Sequence, residues 1–158
     1  MLFRAVGAVA QLEAGMQLGQ AGRYEVMDKI GEGGMGSVWR VKDTALDGRI
    51  VAMKRIRLFD EADKNMLERF NQERRSIAEL NHANVITVHD AGEAALGPYL
   101  VMEFVEGEPL DQLLKSEPPS EEGAVAIFGG LCRVVAHSPH KGVIHPHIQP
   151  ANLLPHRA

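Results

Sequence analysis

The fold of this chain is decided by the stretch Tyr24-Glu-Val-Met-Asp-Lys-Ile-Gly-Glu-Gly-Gly-Met-Gly-Ser-Val-Trp-Arg-Val-Lys42. Its two ends are rich in residues that favour strands, and a run of glycines separates them. Residues 24–30 and 37–42 are therefore predicted to form two antiparallel strands joined as a hairpin.

The glycine run Gly31-Glu-Gly-Gly-Met-Gly36 matches the pattern G-x-G-x-x-G, which occurs in two classes of phosphate-binding protein. Glycines let backbone N–H groups approach a phosphate with no side chain in the way. In dinucleotide-binding folds the run opens into a helix. Here it opens into Val38-Trp-Arg-Val41, which favours a strand. The context therefore favours the glycine-rich loop of protein kinases, with a plain glycine-rich hairpin as the alternative.

Four further segments extend this hairpin into a sheet with a helix. Three are rich in strand-forming residues and one has a helical period. In chain order they are a strand from Ile50 to Leu58 after the turn signal Asp47-Gly48, a helix from Asp63 to Leu80, and strands from Val85 to Asp90 and from Tyr99 to Phe104. The first of these strands is expected to alternate, with Ala52 and Lys54 on one face and Val51 and Met53 on the other.

Two charged residues are predicted to pair. Glu73 falls on the apolar face of the predicted helix, beside Phe70 and Ile77. A buried carboxylate without a partner is costly, so this helix needs a cation nearby. Lys54 on the third strand is the natural candidate.

Beyond Pro109 the chain is predicted to be helical. A short helix is expected from Leu110 to Lys115, and a long one from Ser120, whose hydroxyl can cap free N–H groups, to about His137. The long helix is apolar nearly all round, which is typical of a helix buried on several sides. Because only about twenty residues follow it, we expect most of its packing partners to be missing. Cys132 within it is expected to be buried.

Composition excludes several classes of function. The chain has 158 residues, 45% of them hydrophobic, and a formal net charge of −4, so it lacks the basic excess of nucleic-acid-binding proteins. Its single cysteine excludes an internal disulfide and favours a cytoplasmic location. No segment has the run of about 20 apolar residues that spans a membrane. Residues 1–22 contain spaced glycines and are expected to be a flexible leader, with a signal peptide at the apolar start as the alternative.

Segments spread over residues 23–154 resemble bacterial serine/threonine protein kinases of the eukaryotic-like (Hanks) type. The matching segments are 23–38, the strand Val51-Ala-Met-Lys54, 69–73, 80–85, 99–105 and 142–154. The resemblance implies an α+β fold, with a kinase-like N-lobe of a five-stranded antiparallel sheet and one helix, followed by the first helices of a truncated helical C-lobe. It assigns the N-lobe to residues 23–103, and the hinge and partial C-lobe, ending just after a degenerate catalytic loop, to residues 104–158.

The same resemblance implies a site for ATP with Mg²⁺, and a protein substrate as partner. In the family the strand lysine holds the α- and β-phosphates and the helix glutamate holds the lysine, which implies these roles for Lys54 and Glu73. Met102 takes the gatekeeper position, and Asn152 takes a magnesium position. The residues implied in ATP binding are Ile30, Gly31, Glu32, Gly33, Gly34, Met35, Gly36, Ser37, Val38, Ala52, Lys54, Met102, Glu103, Val105 and Leu154.

The segment His145-Pro-His-Ile-Gln-Pro-Ala-Asn152 departs from the family's catalytic loop H-R-D-x-K-P-x-N. His147 stands where the family has the aspartate that accepts the substrate's proton, while Pro146 replaces the arginine and Gln149 the lysine. The sequence also ends before any D-F-G segment. The resemblance therefore implies a catalytically deficient chain with a weak or incomplete Mg²⁺ site.

Three interpretations stay open. The chain is the ATP-binding portion of a serine/threonine protein kinase, a pseudokinase-like module that binds a nucleotide or a partner, or a non-functional fragment. Each of the three replacements in the loop requires a single base change to C, so altered codons are a further explanation of its degenerate form.

Overall fold

A computed structural model of the chain describes residues 12–34, 36–56, 68, 82–94, 97–137 and 150–155. The chain divides into two compact units. Unit 1 comprises Met1–Arg75 and Val88–Phe104, and unit 2 comprises Ser76–Thr87 and Val105–Ala158. Of the helix predicted from Asp63 to Leu80, only Glu68 is among the described residues, and it is helical.

Unit 1 is built on an antiparallel sheet, in which the described residues form six strands. The strands are β1 (Gln17–Leu18), β2 (Tyr24–Gly33), β3 (Gly36–Asp43), β4 (Arg49–Ile56), β5 (Val88–Ala94) and β6 (Gly97–Glu103), in the order β1-β2-β3-β4-β6-β5. The five predicted strands correspond to β2 through β6, and the predicted α+β class is confirmed. The short strand β1 was not predicted.

The strand predicted from Val85 begins too early. The Val85 N–H donates to the carbonyl oxygen of His82 at 2.9 Å, and the Asn84 N–H donates to Nδ1 of His82 at 3.0 Å. These two bonds close a turn over residues 82–85. Pairing with β6 therefore starts only at Val88.

The strand residues are divided between two faces of the sheet. The back face carries a buried cluster that includes Val51 and Met53. The front face carries Ile56 and Leu100, which are also buried. The alternation predicted for β4 is confirmed. Val51 and Met53 lie on the back face, and Ala52 and Lys54 share the front face with Ile56, since residues two apart on a strand project to the same side.

Part of the expected flexible leader is structured, and that prediction is wrong from residue 12 onward. Leu12 is only 4% exposed and lies in the back-face cluster, with Met16 and Leu18 packed against it. The Gly15 N–H donates to the Val26 carbonyl and the Val26 N–H donates to the Met16 carbonyl, both at 2.8 Å. Glycines of this segment, which suggested disorder, adopt positive φ and let the chain turn back over the sheet. We call residues 12–22 the N-terminal cover.

A polar cluster links the start of β2 to the end of β3 and to β5. The Arg23 guanidinium donates to both carboxylate oxygens of Asp43, each at 2.8 Å, and Asp43 is buried. The hydrogen bond from Arg23 is the main cause that lowers the pKa of Asp43. The Tyr24 hydroxyl donates to Asp90 at 2.6 Å. Burial, and then this bond, raise the pKa of Tyr24.

Unit 2 contains two described α-helices, α1 (Leu110–Ser116) and α2 (Glu121–His137), and a 3-10 helix at Pro150–Asn152. The predicted cap is confirmed, because the Ser120 Oγ accepts the N–H of Gly123 at 3.2 Å. The Leu110 N–H donates to the Leu153 carbonyl at 2.8 Å, which ties the start of α1 to the segment after the 3-10 helix.

One face of α2 is exposed among the described residues. Val125 is 72% exposed and Phe128 is 68% exposed, and Val135 is exposed as well. Cys132 is also exposed, so the prediction that it is buried is wrong, because no described residue covers this part of the helix. Within the described part of the chain, no helix is long and apolar enough to cross a membrane.

Candidate nucleotide-binding site

The glycine-rich ribbon, residues 31–36, forms the tip of the β2–β3 hairpin that the sequence predicted, with β2 continuing to Gly33 and β3 beginning at Gly36. Gly33 and Gly36 pair across the hairpin. From Gly36 the chain continues as strand β3 rather than as a helix. This continuation excludes the strand-to-helix arrangement of a dinucleotide-binding loop.

Two of the ribbon glycines are not required by the packing of the described residues. A Cβ added at Gly33 or Gly34 would meet no described atom within 4 Å, and neither glycine has a positive φ. Gly36 is different, because its φ is 154° and a Cβ there would overlap the carbonyl oxygen of Arg55. Glycine at positions 33 and 34 therefore leaves the backbone open to close approach from outside the chain.

Four of the predicted site residues lie together on the front face. Val38 is directly opposite Lys54 in the pairing of β3 with β4, and Ala52 is directly opposite Met102 in the pairing of β4 with β6. Opposed residues of antiparallel strands share a face, and so do residues two apart on one strand. Ala52 is buried, whereas Val38, Lys54 and Met102 are half-buried. These four side chains form what we call the front patch, which begins where the glycine-rich ribbon ends.

The front patch combines an apolar surface with a cation. Val38, Ala52 and Met102 offer a surface on which a flat aromatic base can pack, and Lys54 offers a positive charge beside it. Such a combination of apolar lining with one placed charge is typical of small-molecule sites. The open backbone of the ribbon adjoins it in sequence through Ser37.

The remaining predicted residues of unit 1 flank the patch or lie beyond the described residues. Ile30 is 46% exposed on β2, and Glu103 is exposed at the end of β6. Met35, Glu73 and His147 are not among the described residues. The pairing of Lys54 with Glu73 therefore stays a prediction.

The predicted residues of unit 2 lie on either side of its first helix. Val105 is half-buried before α1. Asn152 is exposed at the end of the 3-10 helix, and Leu154 is half-buried just after it. Among the described residues, no three His, Cys, Asp or Glu side chains are grouped as a metal-binding cluster.

The structure also shows two contacts beside the ribbon that the sequence reasoning missed. The Trp39 indole N–H donates to the Ser37 Oγ at 2.8 Å. On the other strand of the hairpin, Lys29 and Glu32 form an ion pair at 2.6 Å. The spacing of Ser37 and Trp39, two residues apart on a strand, already indicated that their side chains share a face.

A model of the family described as protein kinase domain matches residues 24–158. The chain is 35% identical over 142 residues to the probable serine/threonine-protein kinase PknB of Lactococcus lactis subsp. lactis, covering 88% of this chain and 23% of that protein. It is 34% identical over 135 residues to the serine/threonine-protein kinase PrkC of Bacillus subtilis, covering 85% and 21%. It is 37% identical over 140 residues to the serine/threonine-protein kinase PknA of Mycobacterium tuberculosis, covering 85% and 32%. The chain thus spans between 21% and 32% of the length of these relatives.

Solved structures show the same fold. The kinase domain of PknI from Mycobacterium tuberculosis superposes with a TM-score of 0.75 at 25% sequence identity, covering 91% of this chain and 57% of that one. The structure described as the PpkA-294 apo form has a TM-score of 0.68 at 24% identity, covering 79% and 50%. Because its identity is below 25%, the likeness to the PpkA-294 structure concerns the fold alone.

Proposed function

This chain belongs to the protein kinase domain family, and on that premise we propose that it binds ATP together with Mg²⁺ at the glycine-rich ribbon and the front patch. One observation carries the proposal. The register places Val38, Ala52, Lys54 and Met102 on one face of the sheet, immediately after a ribbon whose central glycines are open to approach. Apolar residues for a base, a cation for phosphates and bare backbone N–H groups are the parts that an ATP site needs.

Each part of the site has a proposed role. The backbone N–H groups of the ribbon hold the phosphates, and the backbones of Ile30, Glu32 and Ser37 flank them. Lys54 contacts the α- and β-phosphates, and Glu73 orients Lys54. The adenine base packs on Val38 and Ala52. Met102 lies behind the base, and the backbone of Glu103 pairs with its edge.

The described residues fit a nucleotide better than they fit a metal alone. The space at Gly33 and Gly34 that a Cβ would fill is the space that phosphate oxygens would take. Asn152 would contribute one ligand to Mg²⁺. When bound with ATP, Mg²⁺ neutralises the charge of the β- and γ-phosphates.

Phosphoryl transfer to protein serine or threonine is the activity of the relatives, and we propose that this chain does not perform it efficiently. The motif match puts His147 at the position of the family's aspartate base. A neutral imidazole is bulkier than a carboxylate and must present the correct nitrogen, and a protonated one would repel Mg²⁺. The chain is therefore proposed to bind the nucleotide without efficient transfer.

Thermal denaturation of the purified chain with MgATP tests the proposal. If ATP binds only the folded state, the midpoint temperature of unfolding rises as the ATP concentration increases. Lys54→Ala should weaken binding about tenfold or more, because a charge-assisted hydrogen bond contributes roughly 1.5–3 kcal/mol. The matched control is Lys115→Ala on the exposed side of α1, which should bind ATP as the wild type does.

A phosphotransfer assay separates the remaining interpretations. The wild-type chain is incubated with radiolabelled ATP and a generic basic protein. Binding without transfer supports the proposal, and transfer at the rate of a typical kinase shows that His147 does not disable the chain. A soluble, folded chain that shows no ATP-dependent stabilisation refutes nucleotide binding and leaves a partner-binding module.

A further inference from the structure

The back of the glycine-rich ribbon is fastened by side chains that the proposed ATP site does not use. Ser37 directly follows the ribbon, is only 6% exposed and pairs with Arg55 of β4. Trp39, two residues further along β3, pairs with Met53. Both side chains therefore project from the back face, opposite to Val38 and the front patch.

The Trp39 ring is itself held in place. It packs against the buried back-face cluster that contains Met53, and its indole N–H donates to the Ser37 Oγ at 2.8 Å. An indole has one N–H and no acceptor, so this bond fixes both the ring and the hydroxyl. A rigid core is thereby connected to the first residue after the ribbon.

The described residues at the tip of the ribbon, beyond its last pairing of Gly33 with Gly36, contribute no side-chain restraint. Gly33 and Gly34 carry no side chains, and glycines retain more backbone freedom than other residues until a ligand orders them. On the opposite strand, Lys29 pairs with Glu32, and their cross-strand partners are Trp39 and Ser37 respectively. The Lys29–Glu32 ion pair thus lies on the back face at the β2 end of the ribbon, and the Trp39–Ser37 hydrogen bond lies on the same face at the β3 end.

We propose that Trp39 is a positioning residue for the ribbon, acting through its hydrogen bond to Ser37, and that this bond sets how tightly the nucleotide phosphates are held. This inference rests on the proposed ATP binding. Restricting the ribbon before the ligand arrives reduces the ordering that binding must otherwise impose. Trp39 touches no nucleotide in this account, since it lies on the opposite face of the sheet.

Two substitutions remove the bond from opposite ends. Trp39→Phe keeps an aromatic ring in the cluster but has no N–H, and Ser37→Ala removes the acceptor. Each should weaken the binding of a fluorescent ATP analogue with Mg²⁺ by about three- to tenfold, the effect of one hydrogen bond. Ser37→Thr keeps the hydroxyl and should bind like the wild type.

The double variant gives the decisive comparison. If both residues act through one bond, Trp39→Phe with Ser37→Ala weakens binding no more than the stronger single variant does. Two losses that multiply would show that the residues act separately and would overturn the inference. Equal affinity in the wild type and in both single variants, with Lys54→Ala still impaired, overturns the inference while the proposed function stands. A wild-type chain that binds no MgATP overturns both.

A second measurement does not depend on nucleotide affinity. Trp39 is the only tryptophan of the chain, so a ¹H–¹⁵N spectrum contains a single indole resonance. In the folded protein this resonance should move and exchange faster with solvent in Ser37→Ala than in the wild type or Ser37→Thr. It should also move when MgATP binds the wild type. An indole signal that is the same in Ser37→Ala and the wild type would refute the bond on which the inference depends.

Discussion

Replacing single glycines of the ribbon by alanine should separate folding from ligand binding. At Gly36, a Cβ would lie 3.0 Å from the carbonyl carbon and 3.2 Å from the Cα of the facing strand, and closer still to the Arg55 oxygen. A non-glycine residue at this positive φ costs about 1–3 kcal/mol, and the forced shift of packed backbone costs about as much again. Gly36→Ala should therefore lower the free energy of unfolding by about 2–6 kcal/mol.

Gly33→Ala and Gly34→Ala should behave in the opposite way. A Cβ at either position meets no described atom within 4 Å, and alanine reduces the freedom of the unfolded chain. Their free energy of unfolding should therefore stay within about 1 kcal/mol of the wild-type value. The added methyl group would occupy the proposed phosphate space, so affinity for MgATP should fall at least about tenfold, equivalent to about 1.4 kcal/mol.

Urea denaturation followed by circular dichroism measures the first effect, and calorimetric titration with MgATP measures the second. For a chain of this size the loss at Gly36 corresponds to roughly 5–20 °C in midpoint temperature. The reasoning is refuted if Gly36→Ala is as stable as the wild type. It is equally refuted if Gly33→Ala and Gly34→Ala both fold normally and bind MgATP at wild-type affinity.

Three further outcomes are expected elsewhere in the molecule. The pKa of Asp43 is lowered in the folded state, so the carboxylate's contribution to stability is fully present above the ordinary aspartate pKa of about 3.9 and is lost as pH falls through the lower folded-state value. Asp43→Asn should therefore lower the thermal midpoint at pH 7, and the difference from the wild type should shrink near pH 3. Leu12→Ala should lower the free energy of unfolding by about 2–3 kcal/mol, since the side chain is buried in the back-face cluster, and a urea midpoint equal to that of the wild type would show that the N-terminal cover is not part of the core. Ser120→Ala should lower the free energy of unfolding by about 1 kcal/mol, because it removes the cap of α2. Ser120→Asp can still cap the helix and is the control. Denaturation followed by the helical circular dichroism signal measures both variants, and equal stability of the two would contradict the prediction.

The sequence predicted well those features that depend on near neighbours in the chain. The alternation of Ala52 and Lys54 with Val51 and Met53 follows from the period of two of any strand, and the structure has these pairs on opposite faces. The Ser120 cap depends on the next turn of its own helix, and it too was readable. The glycine-rich ribbon could be assigned to a hairpin because strand-forming residues follow it directly.

The features that the sequence did not predict depend on contacts distant in the chain or on local side-chain bonds. Leu12 is ordered because it meets a sheet whose strands are formed much later in the chain, and the glycines around it suggested the opposite. The strand expected from Val85 begins only at Val88, because the Val85 N–H donates to the His82 carbonyl in a turn. Cys132 is exposed because burial depends on what packs against the helix, which composition does not report.

The N-terminal cover has a practical consequence for anyone who prepares this domain in the laboratory. The match to the kinase family starts at residue 24, and a fragment cut at that boundary for expression would discard Leu12, Met16 and Leu18. Tyr24 and Tyr99, which are buried beside them, would then face water. Such a fragment would be expected to aggregate through a surface that is sealed in the intact chain, and poor yield would reflect the chosen boundary rather than the family's intrinsic behaviour.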